Sequence, residues 1–80
     1  MMPITMNELL ALVGDVIELD PTRIDVCSDR DDVPGWDSLA HLSIVTALEE
    51  RCHVRLTMEQ IVAVRTVEDL GRALTEPVRP

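Results

Sequence analysis

Eighty residues are enough for one domain, and a chain this short buries only about 60% of its unfolded surface, so an elaborate internal active site is not expected. Its 15 acidic and seven basic residues leave a formal net charge of −8, which repels nucleic acid and anionic membrane and favours partners with basic surfaces. All seven basic residues are arginines, so the chain has no lysine amine for Schiff-base chemistry.

Proline and glycine fall mostly at the ends and before residue 36, and the rest carries apolar residues at helical spacing, which predicts an all-α fold. Thr5 and Glu8 have the spacing of a capping box. From there Met6, Leu9, Leu10, Val13, Val16 and Ile17 share one arc, predicting helix I over about 6–18. Residues 19–36, LDPTRIDVCSDRDDVPGW, hold Pro21, Pro34, Gly35 and five aspartates without a sustained period. They read as a long ordered loop pinned to the core by Ile24 and Val26, with its aspartates in water.

Asp37 is a good N-cap for helix II over about 38–52. Thr57 and Gln60 repeat the capping-box pattern before a short helix III over about 58–62, which contains Met58, Ile61 and Val62. Thr66 caps helix IV over about 67–75, where Val67, Leu70 and Leu74 share a face and Glu68 and Asp69 suit the positive helix end. The tail TEPVRP is expected to fray. The expected architecture is a four-helix bundle of three longer helices and one short one, forming a single domain over 1–80 with no internal repeat.

Cys27 and Cys52 fit neither a C-x-x-C nor a zinc pattern. With no signal-peptide pattern or long apolar run, they are expected to be reduced thiols of a cytoplasmic protein. The acidic loop lacks the ligand spacing of an EF-hand, and adjacent Cys52 and His53 are poorly placed as joint ligands, so no metal site is expected.

The informative run is GWDSLAHLSIVTALEE, residues 35–50. Ser38 follows a capping aspartate just inside a helix, so its hydroxyl is expected to be exposed. A phosphate ester there would lie near unpaired N–H groups and the positive end of the helix dipole. On a helical wheel His41, Ile44, Val45, Leu48 and Cys52 form the core stripe, with Ala40 and Ala47 beside it. Leu39 and Leu42 share the other side with Ser43, Thr46, Glu49 and Glu50: apolar anchors within an acidic rim, the make-up of a docking face. His41 beside Asp37 and Ser38 invites a hydrolase reading, but the helix turns its imidazole inward and G-x-S-x-G is absent, so no catalytic residue is assigned. Trp36 is expected to pack over the start of helix II, with partner contact as the alternative.

GWDSL, then ALEE at helical distance, then T-V-E-D-L after a short helix, resembles the acyl carrier protein family over nearly the whole chain. The resemblance implies that Ser38 receives a covalent 4′-phosphopantetheine arm from coenzyme A through a separate, metal-using phosphopantetheinyl transferase. The arm then carries acyl groups as thioesters to acyl-loading and acyl-processing enzymes with basic docking surfaces. It also implies that Asp37, Leu39, Leu42, Glu49 and Glu50 face partners. Ala40 and Ser43 stand where many fatty-acid carriers place acids, and Gly35-Trp36 resembles discrete carriers of polyketide and related secondary metabolism. A peptidyl or aminoacyl carrier is the alternative within the family. An unmodified acidic interaction protein is the alternative outside it, and a monomer is the default expectation.

Overall fold

The structure, a computed structural model, describes residues 4–75; the tail from residue 76 onward lies outside them. Four helices make the fold: α1 (Met6–Ile17), α2 (Ser38–Cys52), α3 (Met58–Ala63) and α4 (Val67–Thr75), and the described residues include no strand. This is the expected all-α bundle, with a short third helix and a long first loop.

Each helix starts where a short polar side chain can satisfy the first-turn N–H groups. Thr5 Oγ1 accepts from Glu8 N while Glu8 Oε1 accepts from Thr5 N, both at 3.1 Å. Thr57 and Gln60 do the same for α3, at 3.1 and 2.8 Å. Thr66 and Asp69 form a reciprocal pair before α4, at 3.0 and 3.2 Å. At the other ends, Glu18 (φ 58°) and His53 (φ 54°) adopt the left-handed conformation that turns the chain out of α1 and α2.

Apolar stripes from α1, α2 and α4 meet in one core. Leu9 and Val13 of α1, Ile44 and Leu48 of α2, and Val64, Val67 and Leu70 around the start of α4 are essentially inaccessible, each burial contributing roughly 1.5–3 kcal/mol. A smaller cluster of Val45, Leu56 and Ala73, with Ile61 against it, holds α3 to the bundle.

The close turn after α1 depends on Gly14, which sequence patterning does not single out. The N–H groups of both Glu18 and Leu19 donate to its carbonyl, and a Cβ on it would lie 2.5 Å from the Leu19 carbonyl oxygen. The chain can double back here only over a bare backbone.

The long loop is ordered by two 3-10 turns, Pro21–Arg23 and Arg30–Asp32, capped by Asp20 and Asp29. Ile24, Val33 and Trp36 are buried beneath it, while Val26 is half-buried. The expectation that the loop aspartates simply face water is corrected by Arg65, at the α3–α4 joint. Its guanidinium donates to both Asp29 oxygens and to Asp31 Oδ2, each at 2.8 Å, and its carbonyl accepts from Arg30 N at 2.6 Å. This planar two-pronged contact ties the middle of the loop to the far end of the chain. Spacing along the sequence carries no trace of it.

Candidate functional site

The head of α2 is built by the loop that precedes it. Gly35, at φ 87°, lets the backbone approach the Ile17 carbonyl, where a Cβ would lie 3.0 Å away. Trp36 then turns inward to 5% exposure, so the packing reading of this residue holds. With Trp36 anchored, Asp37 stands at the N-cap. Its Oδ1 accepts from Ala40 N at 2.8 Å and its carbonyl from His41 N at 2.9 Å. Ser38 is the first helical residue and is exposed. Its hydroxyl therefore faces solvent at a helix end whose first-turn N–H groups have no acceptor within the helix.

His41 does point into the core, at 5% exposure. The Trp36 indole Nε1–H donates to its Nδ1 at 3.0 Å, the rings stack with centroids 6.1 Å apart, and its Nε2 meets the Ile61 carbonyl at 2.8 Å. Both ring nitrogens are thus occupied, and Asp37 is engaged as a cap. No nucleophile–base pair is assembled here.

Leu39 is 76% exposed and Leu42 54%, flanked by exposed Ser43, Thr46 and Glu50. The other exposed large apolar side chains of the described residues are Met58 (70%) and Val62 (63%), both on α3. Together the four place the exposed large apolar side chains of the described residues on two consecutive helices. Sequence reading placed Met58 and Val62 in α3 but did not give them an outward face. The available signal was their i, i+4 spacing in a helix whose inward residue is Ile61.

Glu49 is only half-buried rather than free, because its Oε2 accepts from Leu56 N at 2.9 Å and closes the α2–α3 connection. Glu50 is exposed, as are Asp37 and Leu39. Among the described residues, no three His, Cys, Asp or Glu side chains gather into a metal-binding group. No helix among them is long and apolar enough to cross a membrane.

Comparison with known proteins gives this geometry its context. The family model described as "Phosphopantetheine attachment site" matches residues 7–74, from the first turn of α1 to the last turn of α4. The chain belongs to the acyl carrier protein family. It is 35% identical over 72 residues to the acyl carrier protein MbtL of Mycolicibacterium paratuberculosis, covering 90% of this chain and 81% of that one. It is 32% identical over 71 residues to MbtL of Mycobacterium bovis, covering 89% and 84%. The acyl carrier protein of Streptomyces coelicolor is 34% identical over 74 residues, covering 91% and 80%. No solved structure gives a significant match.

Members of this family are carriers rather than catalysts, and their cofactor is covalent 4′-phosphopantetheine. The head of α2 in this carrier fits that group. An exposed hydroxyl stands clear of the core, first-turn N–H groups and the helix dipole suit a phosphodiester, and apolar leucines lie alongside. Family membership implies a phosphopantetheinyl transferase and acyl-processing enzymes as partners.

Proposed function

We propose that Ser38 carries the 4′-phosphopantetheine arm and that the protein presents acyl thioesters to biosynthetic enzymes of polyketide or related secondary metabolism. The observation that carries this reading is the exposed serine at the first position of α2, within D-S-L and within the stretch matched by the family model. Attachment joins Ser38 Oγ to a phosphorus of coenzyme A and breaks its pyrophosphate, releasing the adenosine bisphosphate half while the hydroxyl proton passes to the transferase. When attached, the arm supplies a terminal thiol that holds acyl groups as thioesters.

The chain's own residues supply placement and recognition. Asp37 fixes the helix start so that the serine projects outward, Leu39 and Leu42 offer apolar contact, and Glu50 with the net charge of −8 steers basic partners. Ala40 and Ser43 make this face less acidic than that of many fatty-acid carriers, which supports the secondary-metabolism reading. The two cysteines are free, in keeping with a cytoplasmic setting where coenzyme A is the donor. Cys27 donates to Glu68 Oε2 at 3.4 Å, and that contact pushes its thiol above the ordinary range, which makes it a poor nucleophile.

The test is intact mass after incubation with coenzyme A, Mg²⁺ and a promiscuous phosphopantetheinyl transferase. One arm is expected on wild type and none on Ser38→Ala. Wild type left unmodified by several transferases would move the unmodified interaction protein ahead. Loading assays with adenylating and acyl-transfer enzymes separate an acyl cargo from an aminoacyl one.

A further inference from the structure

A histidine in the core of so small a bundle is a costly choice where Leu or Val would fill the space, unless its polar atoms do something specific. The two partners of His41 settle its chemistry. An indole N–H can only donate, so Nδ1 must present its lone pair. A peptide carbonyl can only accept, so Nε2 must carry the proton and donate it to Ile61. One neutral ring, in one tautomer, therefore joins the end of the long loop, the first turns of α2 and the last turn of α3.

That junction matters because α3 is weakly held. None of its six residues is buried, and only the half-buried Ile61 packs into the small cluster of Val45, Leu56 and Ala73. Its capping box is internal to the helix entrance, and the Glu49 contact reaches Leu56, before the helix begins. Among the described residues, the His41 Nε2–H bond to the Ile61 carbonyl is the hydrogen bond from an α2 side chain to the body of α3. Val62, exposed and adjacent to Ile61, is carried directly by it.

We propose that His41 is a positioning residue: with its tautomer locked by Trp36, it tethers α3 to α2 and so fixes Met58 and Val62 relative to Leu39, Leu42 and Ser38 for the enzymes that dock there. The proposal rests on the reading of Ser38 as the attachment residue, but the tether itself can be tested without it. A loosened tether changes how well an enzyme finds a fixed face. It leaves the chemistry at the exposed hydroxyl intact.

The experiment compares wild type with His41→Ala, His41→Gln and Trp36→Phe. With transferase, coenzyme A and Mg²⁺, the carrier KM of His41→Ala should rise about five- to tenfold while kcat stays within about twofold. Amide exchange should quicken at least about tenfold in α3 and stay unchanged in α1 and α4. Gln offers an acceptor and a donor and should recover most of both effects. Ring ¹⁵N shifts should show Nε2 protonated in wild type and lose that lock in Trp36→Phe, which keeps an aromatic ring but removes the donor.

An Nδ1-protonated ring overturns the proposal, as does unchanged KM with unchanged α3 exchange in His41→Ala, or equal behaviour of Gln and Ala. If His41→Ala does not fold, Trp36→Phe decides by the same two readouts. Wild type that accepts no arm defeats the Ser38 reading instead, and the exchange and ¹⁵N measurements then still judge the tether.

Discussion

The last two helices are neighbours in sequence and opposites in design. In α4, five of nine residues are buried, Val67, Leu70, Gly71, Ala73 and Leu74, whereas α3 buries none of its six and turns Met58 and Val62 outward. A helix of six residues is too short to be stable on its own, so α3 persists through its cap, the Ile61 side chain and the His41 bond. The contrast separates two parts: α1, α2 and α4 hold the fold, while α3 and the outer side of α2 carry the exposed large apolar side chains of the described residues.

The sharpest challenge to that division is a pair of truncations. Leu70→Ala should cost about 2–5 kcal/mol, a large part of the stability of so small a domain, while Val62→Ala should stay within about 0.5 kcal/mol. Denaturant midpoints check both, and similar losses at the two sites would erase the distinction. Gly14→Ala tests whether the turn after α1 belongs to the rigid half. A Cβ there collides with backbone, so a loss of about 1–3 kcal/mol is expected from thermal or chemical unfolding.

Thr57→Ala should cost about 0.5–2 kcal/mol, with faster amide exchange in α3 and little change in α4. A change spread evenly over both helices would show that α3 is not a separate element energetically. Glu49 and Glu50 divide along the same line. Glu49→Lys loses the Leu56 N–H contact and should cost about 1 kcal/mol, while exposed Glu50→Lys should leave stability within about 0.5 kcal/mol. Both should slow partner encounter and flatten its salt dependence, measured by association rates across a salt series.

The smallest effect concerns acid. The Arg65 guanidinium, and after it the Asp31 N–H, hold the Asp29 carboxyl below the usual carboxylate range. Because its folded pKa lies under the unfolded one, the unfolded chain binds more protons between the two values. Stability from this group is fully present above the ordinary carboxylate value and is lost as pH falls through the lowered one. Glu8 and Asp20 act in the same direction, first through the Thr5 and Thr22 backbone N–H groups respectively. Asp29→Asn should therefore lower Tm slightly at neutral pH and reduce its fall on acidification. An unchanged acid limb would show that the Arg65 clamp contributes nothing measurable, as many exposed ion pairs do not.

Much of the fold was legible because its instructions are local. A capping box needs partners three residues apart, and an amphipathic stripe repeats every three or four, so Thr5, Thr57, Thr66 and Asp37 announce their helices in one dimension. The inward turn of His41 and the outward turn of Leu39 and Leu42 follow from the same periodicity. The D-S-L serine is legible too, since its exposure comes from its place just after the cap.

Local pattern did not reveal the outward face of α3: the i, i+4 spacing of Met58 and Val62 puts them on one face, but six residues hold too little periodicity to tell whether that face or the one with Ile61 turns inward. Nor did it show that Glu49 turns back to Leu56, since a glutamate on an outer helix face reads as solvated until the chain after the helix returns beneath it.

By itself, then, the sequence determined the four helices, their starts and the serine at the head of the second, all from interactions spanning about one helical turn. Tertiary structure alone decided which Asp meets Arg65, 36 residues from Asp29, and which carbonyl receives the His41 proton, 20 residues away. The reason is physical: such partners are chosen by where packed helices bring distant side chains together, and that information resides in the assembled core.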